Sequence, residues 1–138
     1  MADAYTAEEL IRARLVAGWT ATPLARLRFP NEEYIEHDVA PFASVEVIGG
    51  RDVPYIGQPG ARLNRMDGVV MLHLMTPIQT GRASIAAMFR NARALLSSAI
   101  FGGVYMSGLS LGTGRPTDED GLYHGSTASA PFFYLYHD

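Results

Sequence analysis

Two stretches of the chain carry apolar side chains at helical spacing. The first covers residues 6–18, and its apolar side consists of Ala7, Leu10, Ile11 and Leu15. The second covers about residues 80–98, and its apolar side consists of Ile85, Met88, Phe89, Ala92, Leu95 and Leu96. Each pattern predicts an amphipathic helix with one face packed on a core.

Shorter apolar patterns predict strands in the rest of the chain. Residues 43–47 alternate between apolar and polar side chains, which indicates a strand with one buried face. Residues 69–75 are largely apolar on both sides, which favours a central strand covered on both faces. Residues 104–111 predict a short strand, and residues 122–136 predict a long final strand.

The order of these elements is helix, strand, long loop, strand, helix, strand and strand. Consecutive strands joined by loops pair most simply as antiparallel hairpins. The sequence therefore predicts one domain over residues 1–138, of the α+β class. We expect a mainly antiparallel four-stranded sheet, with two helices packed on it and a long irregular arm.

The expected arm is the stretch GGRDVPYIGQPGARLNRMDG, residues 49–68. It is rich in glycine and proline and has neither a helical nor a strand period, and long loops inside compact domains are usually functional or mobile. Its aromatic, aliphatic and arginine side chains are types that partner surfaces favour. We therefore predict a subunit or partner interface made of Arg51, Tyr55, Ile56, Arg62 and Arg65, with a bare loop as the alternative.

Composition excludes several kinds of site. The chain has 138 residues and no cysteine, so disulfides, thiolate nucleophiles and cysteine-ligated metals are ruled out. The formal net charge of −3 argues against a dedicated nucleic-acid binder, which would usually be basic. All eleven basic residues are arginine. This bias is explained by genome composition, and it also suits interfaces, because the planar guanidinium binds carboxylates through two hydrogen bonds.

The four histidines offer no recognisable catalytic or metal-binding pattern. His73 lies in the middle of a strand, which favours a hydrogen-bonded core or interface histidine over a ligand. His124 lies two residues from Ser126, a spacing that does not aim the two side chains at each other for proton transfer. We therefore predict no catalytic residue, no metal site and no cofactor.

Three segments of the chain resemble a known family. They are GWTATP at residues 18–23, GQPGARLNRMDGVVMLHLMTPIQTG at residues 57–81, and GLYHGSTASAPFFY at residues 121–134. With the predicted elements, they resemble the small tail-terminator proteins of long-tailed bacteriophages and phage-like particles. The scheme includes an arginine, two further residues and a glycine leading into a hydrophobic strand, here Arg65 to Gly68. Asn64 departs from it, because family members often have an aromatic residue before that arginine.

The resemblance implies a structural virion protein without enzymatic activity. Such proteins form a hexameric ring that caps the tail tube, ends its polymerisation and presents a surface for the head. The implied partners are further copies of the chain, the tail-tube protein and a head-completion or connector protein. DNA would only pass through the ring, no membrane is involved, and assembly would take place in the cytoplasm of the bacterial host.

Two other kinds of protein fit the sequence. A small homo-oligomeric α+β ligand-binding protein would need a concave apolar pocket, which His73 could line. An enzyme would use His124 or His37. Gel filtration, thermal stabilisation by a small molecule and the gene neighbourhood distinguish these readings from a ring-forming protein.

Overall fold

A computed structural model of the chain describes residues 4–29, 40–58, 62–78, 82–112, 115–116 and 123–137. Its helices are α1 (Ala4–Gly18) and α2 (Ala83–Leu96), with a short 3-10 helix at Leu24–Arg26. Its strands are β1 (Leu27–Arg28), β2 (Phe42–Ile56), β3 (Leu63–Pro77), β4 (Ile100–Phe101), β5 (Val104–Met106), β6 (Ser110–Leu111), β7 (Arg115–Pro116) and β8 (Tyr123–His137). The α+β class predicted from the sequence is confirmed.

Within the described residues the sheet has eight strands, rather than the four that we predicted. Its strand order is β1-β2-β3-β8-β5-β4, and β6 and β7 also pair with β8. The sheet is mixed, because β1 runs parallel to β2 while every other recorded pairing is antiparallel. The missed strands are two or three residues long, and so short a strand has no period for a sequence pattern to detect.

The stretch predicted to be an irregular arm is largely strand. Residues 50–56 continue β2, residues 63–68 begin β3, and β8 pairs with β3 from Leu63 to Pro77. The register of β2 against β3 shifts between Gly49 and Asp52 and again between Pro54 and Ile56. Each shift places one extra residue in β2, so β-bulges absorb the glycines and the proline without ending the ladder. Residues 59–61, at the expected tip, lie outside the described residues.

Three long strands make the sheet much longer than the helices. β2, β3 and β8 have 15 residues each, which corresponds to about 50 Å of strand. The helices have 15 and 14 residues, which corresponds to only about 21–23 Å of helix. Neither helix is therefore long enough to cover the full length of the strands.

Both helices pack on one face of this sheet. The core between them contains Ala7, Ile11 and Leu15 from α1, Ile85, Met88, Ala92 and Leu96 from α2, and Val70, Leu72 and Leu74 from β3. Two details differ from the sequence prediction. Helix α1 begins at Ala4, two residues before the start at Thr6 that the apolar pattern predicted. Phe89 is half-buried at the margin of the core, because Ile85, Met88, Ala92 and Leu96 form the buried stripe.

Asn91 joins the two helices. Its side-chain oxygen accepts hydrogen bonds from the backbone N–H of Thr20 at 2.7 Å and of Ala21 at 2.9 Å. Its side-chain nitrogen donates to the carbonyl oxygen of Gly18 at 3.3 Å. Polar backbone groups where α1 ends are thus satisfied by one side chain of α2. The predicted end of helix one at Gly18 is confirmed.

Gly68 allows an aromatic ring to lie against the middle of the sheet. A Cβ atom at this position would lie 2.7 Å from the carbonyl oxygen of Ile48 and 2.7 Å from the ring of Phe132. Real Cβ atoms essentially never approach other atoms so closely. The glycine that ends the arginine-to-glycine motif is therefore required by the packing of Phe132, which is 3% exposed.

Candidate interaction surface

Most of the face of the sheet opposite the helices has no cover among the described elements, although Phe42 and Tyr123, which also point to this face and contact each other, are buried at one end of it. Along β3, Val70, Leu72 and Leu74 are fully buried beneath the helices, whereas the alternating side chains are half-buried. Among the described elements, the prediction that this strand is covered on both faces is therefore wrong. We call this uncovered side the open face, and its larger apolar side chains are Ile48, Val69, Met71, Met75, Ile100, Tyr105 and Phe133.

A stack of planar side chains crosses the open face. The Arg65 guanidinium lies 4.1 Å from the centroid of the Phe133 ring. The Phe133 ring in turn stacks on Tyr105, with centroids 4.8 Å apart and planes inclined by 7°. The sheet register explains this arrangement, because Asp67, Phe133 and Tyr105 are directly paired across β3, β8 and β5. Arg65 precedes Asp67 by two residues and so points to the same face.

The charge of Arg65 is held in place on this surface. Its Nε donates to Asp67 Oδ1 at 3.0 Å, and the two side chains are 33% and 52% exposed. An ion pair with this exposure contributes little to stability, because water and salt screen it. Its effect is to fix the guanidinium over the Phe133 ring. Arginine and aromatic side chains held in this way are the residue types that dominate the binding energy of protein interfaces.

The five residues predicted to form an interface do not all meet. Arg65 lies in the stack just described, and Ile56, at the end of β2, is 66% exposed. Arg62 precedes β3 and is half-buried. Arg51 and Tyr55 have their backbones in β2, and their side chains lie outside the described part of the structure. The sequence prediction did not include four further residues of the open face, which are Phe133, Tyr105, Ile48 and Ile100. For Phe133 a signal was present, because the alternation in PFFYLYHD places Phe133 and Tyr134 on opposite faces of the strand.

A polar cluster interrupts the apolar open face. The Nδ1 atom of His73 lies 3.0 Å from Thr127 Oγ1, and its Nε2 atom lies 3.2 Å from Glu46 Oε2. These residues come from β3, β8 and β2, and all three point to the open face. His73 is thus hydrogen-bonded through both ring nitrogens, although it lies on the open face and not in the core. The cluster fixes the imidazole orientation across three strands.

The second candidate histidine is separated from its supposed nucleophile partner. Ser126 is buried, and its hydroxyl accepts a hydrogen bond from Arg82 Nη2 at 3.0 Å. His124 lies half-buried near the start of β8, where it pairs with Thr76 of β3. No hydrogen bond joins the two side chains among those recorded for the described residues. Within the same part of the chain, no group of three or more histidine, aspartate and glutamate side chains could hold a metal ion.

Arginine stacking on aromatic rings recurs on both faces of the sheet. The Arg14 guanidinium lies 4.8 Å from the Phe101 ring, and that of Arg28 lies 3.6 Å from the Phe42 ring. A flat guanidinium can lie on a ring, whereas an ammonium is a compact point charge. The absence of lysine thus has a structural consequence, because several of the arginines pack on aromatic rings.

A cavity lies on the helix side of the molecule. It has a volume of about 230 Å³, and it is lined by Ala21, Pro23, Arg26, Pro41, Ser84 and Met88, among others. The lining is more apolar than polar, and it lies where the segment after α1 passes the first half of α2. Its size is below the range usual for pockets that enclose drug-sized ligands.

Comparisons with known proteins establish the fold and nothing finer. No protein-family profile matches the chain, and no curated protein matches it significantly. A solved structure, whose name carries no functional description, matches with a TM-score of 0.64 at 18% identity. The match covers 95% of this chain and 97% of that one. At this identity, the likeness shows a shared α+β fold over nearly the whole length of both chains. Among the described residues, no helix is both long and apolar enough to cross a membrane.

Proposed function

We propose that this chain is a tail-terminator protein of a long-tailed bacteriophage or phage-like particle. In this role it forms a ring on the finished tail tube, ends polymerisation of the tube and provides the surface to which the head is joined. It acts as a structural protein and not as an enzyme. Its partners are further copies of itself, the tail-tube protein and a head-completion or connector protein.

The observation that carries the proposal is the open face with its Arg65–Phe133–Tyr105 stack. A rough area for its apolar part follows from the three long strands, spaced about 4.8 Å apart, and about eight residues of each, and it is on the order of 400 Å². The largest apolar patch of a typical monomer is about 300–600 Å² and is often functional. A surface this large, apolar and rich in arginine and aromatic side chains supports assembly with other protein subunits.

The sequence resemblance supplies the particular kind of assembly. The motif glycine, Gly68, is required because a side chain there would clash with its neighbours. The motif arginine, Arg65, lies on the open face. The final motif segment supplies Phe132 and Phe133, which point to opposite faces of β8. Two of the three resembling segments therefore contribute residues that shape the long sheet and its exposed side, while the first segment follows the end of α1. The virion tail is the location that accompanies this role.

The proposal is tested by assembly with a tail-tube protein, which the proposed function expects to be encoded near this gene. Purified chain, alone and mixed with short tubes, is examined by light scattering after gel filtration and by electron microscopy. We expect rings at tube ends and tubes that no longer elongate. A double variant, Arg65→Glu with Phe133→Ser, is expected to fold and to lose both effects. Leu24→Ser, which changes a 51% exposed apolar residue outside the sheet, is the matched control. Tubes that elongate unchanged in the presence of wild-type chain would contradict the proposal.

The cavity supports the second candidate, a homo-oligomeric ligand-binding protein. Its apolar lining around Met88 and Pro23 would suit a small apolar molecule. A thermal-shift screen with small hydrophobic compounds tests this function, because a ligand at 100 times its Kd stabilises the folded state by about 2.7 kcal/mol. Ala87→Trp, which fills the cavity, should abolish any such shift. Stabilisation by a compound that this variant removes, in a chain that does not bind tubes, would favour the second candidate.

A further inference from the structure

The sheet has two edges that no described strand covers. At one end of the strand order, β1 pairs with β2 only at Ala43 and Ser44, so β2 has no described neighbour on that side from Val45 onward. At the other end, β4 pairs with β5 alone. An uncovered edge presents main-chain N–H and C=O groups that can pair with a strand of another chain.

Each edge carries an exposed isoleucine on the open face. Ile48 of β2 is 45% exposed, and Ile100 of β4 is 69% exposed. Ile48 pairs with Val69, and Ile100 pairs with Tyr105, both on the open face. Val69 pairs with Pro131, while Tyr105 pairs with Phe133, two residues further along β8. The two isoleucines therefore point the same way from opposite edges, displaced by about 7 Å along the strands.

The two edge strands also run in the same direction. β2 is antiparallel to β3, β3 to β8, β8 to β5, and β5 to β4, so that four reversals leave β4 parallel to β2. If a second copy of the chain continues the sheet, its β4 can lie beside β2 with the open faces on the same side. The offset between Ile48 and Ile100 is no obstacle, because a sheet that curves into a closed ring needs a stagger between its strands.

We propose that neighbouring subunits join edge to edge, with β4 of one copy beside β2 of the next and Ile100 against Ile48. This inference rests on the proposed ring and specifies its subunit contact. Two different surfaces meet in this contact, so every subunit can bind one neighbour on each side, and a suitable rotation closes the series into a ring. The occupant of each edge is a second copy of this chain, because the two edges match in strand direction, in face and in carrying an exposed isoleucine.

Pairing of β2 with β2 would be a different outcome. It would bury two copies of Ile48 across a two-fold axis, leave Ile100 exposed and stop at a dimer. The two arrangements differ in the contact that Ile48 makes. It lies against Ile100 of a neighbour in the proposed contact and against a second Ile48 in β2–β2 pairing. The chain lacks cysteine, so an introduced cysteine is the only thiol that a cross-linking reagent can reach.

The test uses Ile48→Cys and Ile100→Cys with a short bis-maleimide reagent, on subunits assembled with tubes. An equimolar mixture of the two variants should yield covalent dimers, while either variant alone should yield few, with at least a tenfold difference in yield. The double variant should yield a ladder of covalent oligomers that ends at the ring size. Leu24→Cys, outside the sheet and 51% exposed, measures random collision. Efficient dimers from Ile48→Cys alone would overturn the proposal in favour of β2–β2 pairing.

Lysine variants provide an independent measurement. Lysine on an edge strand opposes pairing, so Ile48→Lys and Ile100→Lys should each abolish rings. Because both positions are exposed, the melting temperature of the free subunit should shift by less than about 4 °C. Leu24→Lys should assemble like wild type. If wild-type rings form but neither cross-links nor lysine effects appear, the edge contact is wrong and the ring function stands. If wild-type chain forms no ring, the proposed function fails as well.

Discussion

The two faces of β3 have similar apolar composition and different surroundings. On one face, Leu72 and Leu74 are completely buried beneath the helices. On the other, Met71 and Met75 remain half-buried, because no described element lies over them. The comparison shows that an apolar period identifies side chains suited to burial without identifying what buries them. The chain supplies the cover for one face, and under the proposed function an assembly supplies it for the other.

Adjacent substitutions on β3 should separate the two faces most clearly. Leu72→Ala removes a fully buried side chain and should lower the free energy of unfolding by about 2–5 kcal/mol. Met71→Ala, one residue away on the open face, should lower it by about 1 kcal/mol or less. Urea unfolding of the free subunit measures both values. Equal losses at the two positions would show that the open face is already covered in the free subunit.

Gly49 and Gly68, which pair across β2 and β3, form the second matched pair. Gly68→Ala would push a methyl group against the Ile48 carbonyl oxygen and the Phe132 ring, and such overpacking costs about 1–3 kcal/mol. Gly49 pairs with Gly68, and a Cβ atom there would meet nothing within 4 Å, so Gly49→Ala should change stability by about 0.5 kcal/mol at most. Thermal and urea unfolding check both variants. A Gly68→Ala variant as stable as Gly49→Ala would mean that Phe132 does not pack as described.

Asn91 tests how firmly the helix layer is held together. Asn91→Ala leaves the Thr20 and Ala21 N–H groups without their acceptor and should cost about 1–2 kcal/mol. Asn91→Asp keeps an acceptor oxygen for both N–H groups but places a second oxygen where the donor to Gly18 was, and we expect it to be the less damaging variant because only one hydrogen bond is lost. Equilibrium unfolding gives both values. The reverse order of the two variants would show that the bond to Gly18 is the important one.

The sequence predicted the elements that have a clear period. Both helices, the central strand and the long final strand lie where their apolar patterns indicate. The irregular arm was wrong for a physical reason. Gly49 and Pro54 lower strand propensity locally, but β2 accommodates both with bulges because β3 and β8 provide a long continuous partner. Local propensity could not reveal a ladder fixed by residues some 70 positions away.

The candidate surface was predictable only in part. Arg65 was singled out as an interface residue, and the structure places it on the open face. Its partners Phe133 and Tyr105 come from strands far along the chain, so their stacking depends on a sheet register that sequence alone does not give. The packing of both helices on one face could not be predicted either. The sequence pattern does not say on which face of the sheet each helix packs.

The smallest effect concerns the Arg65–Phe133 contact, measured by a double-mutant cycle. Arg65→Ala, Phe133→Ala and the double variant isolate the coupling between the guanidinium and the ring, which should be about 0.5–1 kcal/mol in the free subunit. A parallel cycle with Asp67→Ala measures the ion pair at 3.0 Å. Since both members of that pair are exposed, its coupling should fall towards zero in concentrated salt, whereas stacking on Phe133 should persist.

Repeating the first cycle on assembled rings compares the same contact in two environments. If subunits or the tube cover the open face, water leaves the guanidinium and ring, and cation–π coupling rises to about 2 kcal/mol. Ring dissociation against subunit concentration provides that measurement, with the Arg65–Asp67 cycle as its control. An unchanged Arg65–Phe133 coupling in the assembly would show that this end of the open face stays in water, and would restrict the contact to the part of the face around Ile48 and Met71.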